Sequence, residues 1–61
     1  MPEVYVYAVE GRSPEQKKAL CVDITEAVAK HFGAPKDSVT VQIVEAPRNA
    51  KSKGGVMFSE R

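Results

Sequence analysis

Two runs rich in β-branched residues, Val4–Val9 (VYVYAV) and Ser38–Glu45 (SVTVQIVE), flank one long segment of helical periodicity. That order is the strongest constraint on the fold. A parallel pair of strands needs a crossover of this kind, normally right-handed, whereas antiparallel neighbours are joined by tight turns. The first run is apolar on both alternating faces and reads as a central strand covered on both sides. In the second run, Val39, Val41 and Ile43 alternate with Thr40, Gln42 and Val44, as in a strand with two distinct faces.

The intervening helix has well-marked ends. Ser13-Pro14-Glu15-Gln16 supplies an N-cap, a proline at the first helical position and a glutamine that closes a capping box. Gly33 can adopt the left-handed stop conformation, and Pro35 disfavours helical geometry at Ala34. The expected span is Pro14 to Phe32, with Leu20, Ile24, Ala27, Val28 and Phe32 forming the apolar stripe. The tail, Ala46 to Arg61, contains Pro47, Asn49 and Gly54-Gly55 before Val56-Met57-Phe58, which predicts a turn-rich loop and a short terminal strand or hairpin.

The expected fold is therefore α+β, a single βαβ unit with parallel strands in one domain, residues 1–61. Sixty-one residues bury little apolar surface, and the usual supplements are lacking. Cys21 is the only cysteine and His31 the only histidine, so neither a disulfide nor a Cys/His metal cluster can add to the core. Oligomerisation remains, and Tyr5 and Tyr7, which share a strand face, are expected at a subunit contact. A net charge of +1 argues against a general nucleic-acid footprint. No signal-peptide pattern or membrane-length apolar run is present, so a cytoplasmic protein with no membrane partner is expected.

Dinucleotide, Walker, C-x-x-C and H-E-x-x-H motifs are absent. What stands out is Pro2 after the initiator Met, Glu10-Gly11-Arg12, Ser13-Pro14-Glu15-Gln16-Lys17, Ala34-Pro35 and Gly54-Gly55. Over nearly its full length the chain resembles the 4-oxalocrotonate tautomerase family. The resemblance implies a βαβ subunit with a terminal hairpin, assembly mostly as hexamers, and cofactor-independent keto–enol tautomerisation of small enol or 2-oxo carboxylic acids. It implies further that Met1 is removed, that the exposed amino group of Pro2 is the catalytic base, and that Arg12 binds a substrate carboxylate.

The implied chemistry is physically reasonable. A free α-amino group has a pKa of about 7.7–8.0, and desolvation beside a guanidinium lowers it, leaving a neutral amine near pH 7. Two departures from the family pattern bear on the substrate. Thr40 stands where well-known members carry a second arginine, and Lys51 stands where they carry a pocket aromatic. Arg48, Lys51 and Lys53 cluster in the same loop, either as replacement cationic contacts to an anionic substrate or as a solvated basic loop.

Two other readings stay open. One is a hydratase or dehalogenase branch of the family, in which a protonated proline assists water addition and a carboxylate such as Glu3, Glu10 or Glu45 activates the water. The other is a non-catalytic subunit of a homo- or hetero-oligomer.

Overall fold

The computed structural model describes residues 2–61. Its elements are β1 (Glu3–Val9), α1 (Pro14–Phe32), β2 (Thr40–Ala46) and a small hairpin of β3 (Ser52–Lys53) and β4 (Val56–Met57). Short 3₁₀ turns occupy Lys36–Ser38, Arg48–Ala50 and Phe58–Glu60. The helix has the expected span. β2 starts two residues later than the alternation implies, because Ser38 closes the preceding turn. Its N–H and its hydroxyl both donate to the carbonyl of Pro35, at 3.0 and 2.7 Å.

The α1 N-terminus forms the capping box read from the sequence. The Gln16 N–H donates to the Ser13 hydroxyl oxygen at 3.1 Å, and the Ser13 N–H donates to the Gln16 side-chain oxygen at 2.9 Å. Two of the otherwise unpaired donors of the first turn are thereby satisfied.

β1 and β2 are parallel, in a register running from Glu3 opposite Thr40 to Val9 opposite Ala46. One face carries Val4, Val6 and Ala8 beside Val41, Ile43 and Glu45, and α1 packs there. Lys17 reaches from the helix to Glu45 at 2.9 Å across this interface. The opposite face carries Tyr5, Tyr7 and Val9 beside Gln42, Val44 and Ala46, and its two tyrosines are left in solvent. Tyr5 is 50% and Tyr7 73% exposed. Within one chain β1 has a single neighbour and one face packed by the helix, so covering its second face falls to another copy.

The helical stripe also differs from expectation. The half-buried helix residues are Lys17, Cys21, Ile24, Thr25, Val28 and Ala29, whereas Leu20 and Ala27 are exposed, as is Phe32 at the end of the helix. Two strands about 4.8 Å apart make a surface narrower than the apolar arc of the helix, so its flank has nothing to pack on. Among the described residues none is fully buried. The chain exposes 4590 Å², against about 3,900 Å² for a folded monomer of this mass.

The hairpin turns at Gly54 (φ 61°) and Gly55 (φ 81°), two consecutive left-handed residues that make the preferred two-residue connection. The Phe58 N–H, donating to the Lys51 carbonyl at 2.9 Å, ties the terminal turn back to the start of the hairpin.

Removing the cap hydroxyl with Ser13→Ala should lower stability by about 1 kcal/mol, while Ser13→Asp should retain most of it. Urea unfolding at one fixed protein concentration measures both.

Candidate functional site

Pro2 directly precedes β1 and is half-buried. Its carbonyl accepts the Thr40 N–H at 3.0 Å, so the β1–β2 pairing brings Thr40 beside it. The residue standing at the position of a second arginine is thus a neutral neighbour of Pro2.

Arg12 lies beyond the other end of the same strand. The six steps from Glu3 to Val9 span roughly 20 Å at strand rise, so one chain does not bring Pro2 and Arg12 together. The pocket expected from the sequence, an amine beside a guanidinium, is absent from a single copy.

Arg12 does have company at its own end. Past the last paired residues, the Glu10 N–H donates to the Ala46 carbonyl at 2.9 Å and extends the ladder by one bond. The Arg48 N–H then donates to Glu10 Oε2 at 3.2 Å, fastening the turn after β2 to the loop after β1. Arg48 lays its guanidinium over Gly11, with Nη2 3.3 Å and Nε 3.9 Å from where a Cβ would stand. Gly11 has φ 133°, a backbone conformation that L side chains rarely adopt, so the backbone favours glycine there, and a Cβ would in addition make the Arg48 tip shift slightly.

Arg12 Nη1 donates to the Val9 carbonyl at 3.0 Å, which folds the side chain back along the strand end. Arg12 also lines a cleft of about 190 Å³ between α1 and the sheet, with Val6, Leu20 and Ile43 among its walls. Among the described residues the ion pairs are Lys17–Glu45 and Lys36–Glu26, so neither Arg12 nor Arg48 is neutralised by a carboxylate.

Lys51 is half-buried at the junction of the Arg48 turn and the hairpin, and its carbonyl is held by Phe58. Lys53 is exposed, and its carbonyl accepts from Arg61 Nη2 at 3.1 Å. The Arg61 guanidinium sits 5.1 Å from the Phe58 ring centroid, which supplies an aromatic–cation pair in the hairpin region that the sequence reading did not single out. Phe58 was read only as part of a terminal strand. The Glu10–Arg48 bond, spanning 38 residues, likewise has no local sequence signal.

The carboxylates considered for activating water each accept one hydrogen bond. Glu3 accepts from the Tyr5 hydroxyl at 2.9 Å, Glu10 from the Arg48 N–H, and Glu45 from Lys17. By accepting that hydrogen bond and repelling the phenolate, Glu3 holds the Tyr5 phenol above its ordinary pKa of 10, which makes Tyr5 a poorer acid near neutral pH.

Comparison with known proteins decides the family. The profile of the tautomerase family, described as a tautomerase enzyme, matches residues 2–61. The chain belongs to the tautomerase family.

A protein of Bradyrhizobium diazoefficiens named "probable tautomerase" is 49% identical over 61 residues, which is all of this chain and 91% of the relative. One from Bacillus cereus with the same name is 43% identical over the full length of both chains. Among solved structures, a 4-oxalocrotonate tautomerase homologue superposes with a TM-score of 0.94 at 36% identity, covering 100% of this chain and 97% of the other. A heterohexameric 4-oxalocrotonate tautomerase from Chloroflexus aurantiacus gives 0.88 at 33% identity, covering 98% and 97%. The chain is thus an enzyme of the tautomerase type, with the βαβ-plus-hairpin fold of the 4-oxalocrotonate tautomerase homologues.

In this tautomerase-family chain Gly11→Ala should cost about 1–3 kcal/mol of stability, because the backbone is strained and the Arg48 guanidinium must move aside. Thermal unfolding measures the loss. A crystal structure of the variant should show Arg48 displaced from the loop.

Proposed function

We propose that the protein is a cofactor-independent keto–enol tautomerase for small enol or 2-oxo carboxylic acids, with the amino group of Pro2, exposed by removal of Met1, as general base. The removal of Met1 concerns a residue outside those described. The observation that carries the reading is family membership over residues 2–61 together with a proline at the head of β1 and uncompensated guanidinium groups at its foot.

The separation along β1 implies that the site is shared between copies. Pro2 of one copy abstracts a proton from the enol or from the carbon beside the carbonyl and returns it to another atom of the same conjugated system. Arg12 of a second copy, with Arg48 and Lys51 nearby, holds the carboxylate and stabilises the enolate charge that develops. Oligomerisation then serves burial and chemistry together. The uncovered face bearing Tyr5 and Tyr7 and the exposed flank bearing Leu20 are the surfaces a homo-oligomer, a hexamer in this reading, would cover.

A branch that adds water would need a carboxylate to activate it; Glu3, Glu10 and Glu45 each accept one hydrogen bond and keep further acceptor capacity, so the pH dependence of the rate is what separates the two branches. A hetero-oligomer would use the same arrangement, with a second chain type supplying one half. Purified alone, such a chain would be nearly inactive.

Ketonisation of 2-hydroxymuconate, measured with proteins whose intact mass shows Met1 removed, should fall about 100-fold in Pro2→Ala, which keeps an α-amino group but loses the ring that fixes its placement, the scale of a misplaced catalytic group. The parent rate should rise with pH through the proline pKa, because only the neutral amine accepts a proton. Near-full activity in Pro2→Ala, or a rate that falls through that pKa, would reject the mechanism.

A further inference from the structure

Among the described residues, Glu10 is the side chain whose hydrogen bond ties the two arginine-bearing segments together. Its N–H continues the β1–β2 ladder to the Ala46 carbonyl at 2.9 Å, which fixes its backbone to the end of β2. Its carboxylate then takes the Arg48 N–H at 3.2 Å, two residues farther along that strand's exit. Between these bonds the Arg48 guanidinium closes on Gly11, 3.3 Å from the Cβ position, immediately before Arg12 in the chain. Two cationic side chains thereby issue from one pair of joined loops.

We propose that Glu10 is the positioning residue of the carboxylate site: it locks the Arg48 turn onto the Gly11–Arg12 loop so that both guanidiniums bind one carboxylate together. The inference rests on the reading that this end of the fold receives the substrate's carboxylate. Glu10 suits the role because it spends its oxygen on a backbone N–H and makes no ion pair with either guanidinium. It therefore sets their placement without neutralising them. Each arginine has five N–H donors in a planar fork, and only one of Arg12's is committed, to the Val9 carbonyl. Two arginines on joined loops can together surround one carboxylate with charge-assisted bonds that a single guanidinium cannot make. Glycine at position 11, which its φ of 133° favours, also lets the Arg48 fork approach the loop closely.

The test is binding of benzoate to the whole folded protein, followed by ¹⁵N–¹H spectra. Arg48→Ala and Glu10→Ala should each weaken Kd roughly tenfold, on the scale of one charged hydrogen bond. The Glu10→Ala/Arg48→Ala double variant should bind no more weakly than Arg48→Ala alone, because the two act as one unit. Glu10→Gln, whose amide oxygen still accepts the N–H, should stay within about threefold of the parent. Additive losses, a Glu10→Gln defect as large as that of Glu10→Ala, or unchanged binding in Glu10→Ala would each overturn the proposal. So would rapid hydrogen exchange at the Arg48 amide of the parent, a readout that needs no variant to fold. Absence of benzoate binding by the parent would overturn it too, and leaves the role of Pro2 to be judged separately from Pro2→Ala turnover.

Discussion

One helix cannot cover two faces of a sheet, and the remaining features of this chain follow from that shortage. α1 takes the Val4, Val6 and Ala8 side, leaving Tyr5 and Tyr7 in solvent and no residue fully buried among those described. At about 25 cal/mol per Å² of apolar surface, such partial burial competes poorly with the entropy of ordering some sixty residues. Local devices help: the capping box, the consecutive glycines of the hairpin and the Lys17–Glu45 bridge each fix a junction. A half-exposed ion pair contributes at most about 1 kcal/mol, so these devices shape the fold more than they stabilise it. Association with further copies is the natural source of the missing burial.

The geometry of β1 links that physical need to catalysis. The strand carries the proposed base before its first residue and delivers the cationic loop after its last, so its length keeps them apart within one chain. A tautomerase site that required both would form only where copies meet. Such a design leaves the isolated chain inert and gives the cationic end a definite architecture of its own. There the loops after β1 and β2 are joined by Glu10, narrowed by Gly11 and left with two unneutralised arginines. At the Pro2 end the neighbour is Thr40, which can donate a hydrogen bond but brings no charge.

Much of this was legible in the sequence, and the legible parts are those set by local rules. The span of α1 was readable because Ser13, Pro14, Gln16 and Gly33 each act within a turn of the helix end. The parallel pairing was readable from topology, and the family from motifs distributed along the whole chain. The helix stripe was misjudged because periodicity tells which residues are apolar, not how wide a surface receives them; Leu20 and Phe32 exceed a two-stranded sheet. The start of β2 was misplaced because Ser38 continues the alternation while its hydroxyl and N–H belong to the preceding turn. Pro2 before the first strand and Arg12 in the loop after it were readable in order, but the length of β1 that separates them was not weighed against a pocket that holds both. The Glu10–Arg48 bond depends on register, which composition does not encode.

The central claim is that Pro2 and Arg12 act from different copies, and mixing subunits tests it most directly. Pro2→Ala and Arg12→Ala proteins, each assembled alone, should be nearly inactive toward 2-hydroxymuconate. Unfolded together and reassembled at equal concentrations, they should regain a substantial fraction of parental turnover, because some interfaces then pair an intact proline with an intact arginine. Mixed assemblies that form, as native mass spectrometry would show, yet remain as inactive as either variant alone would contradict the account.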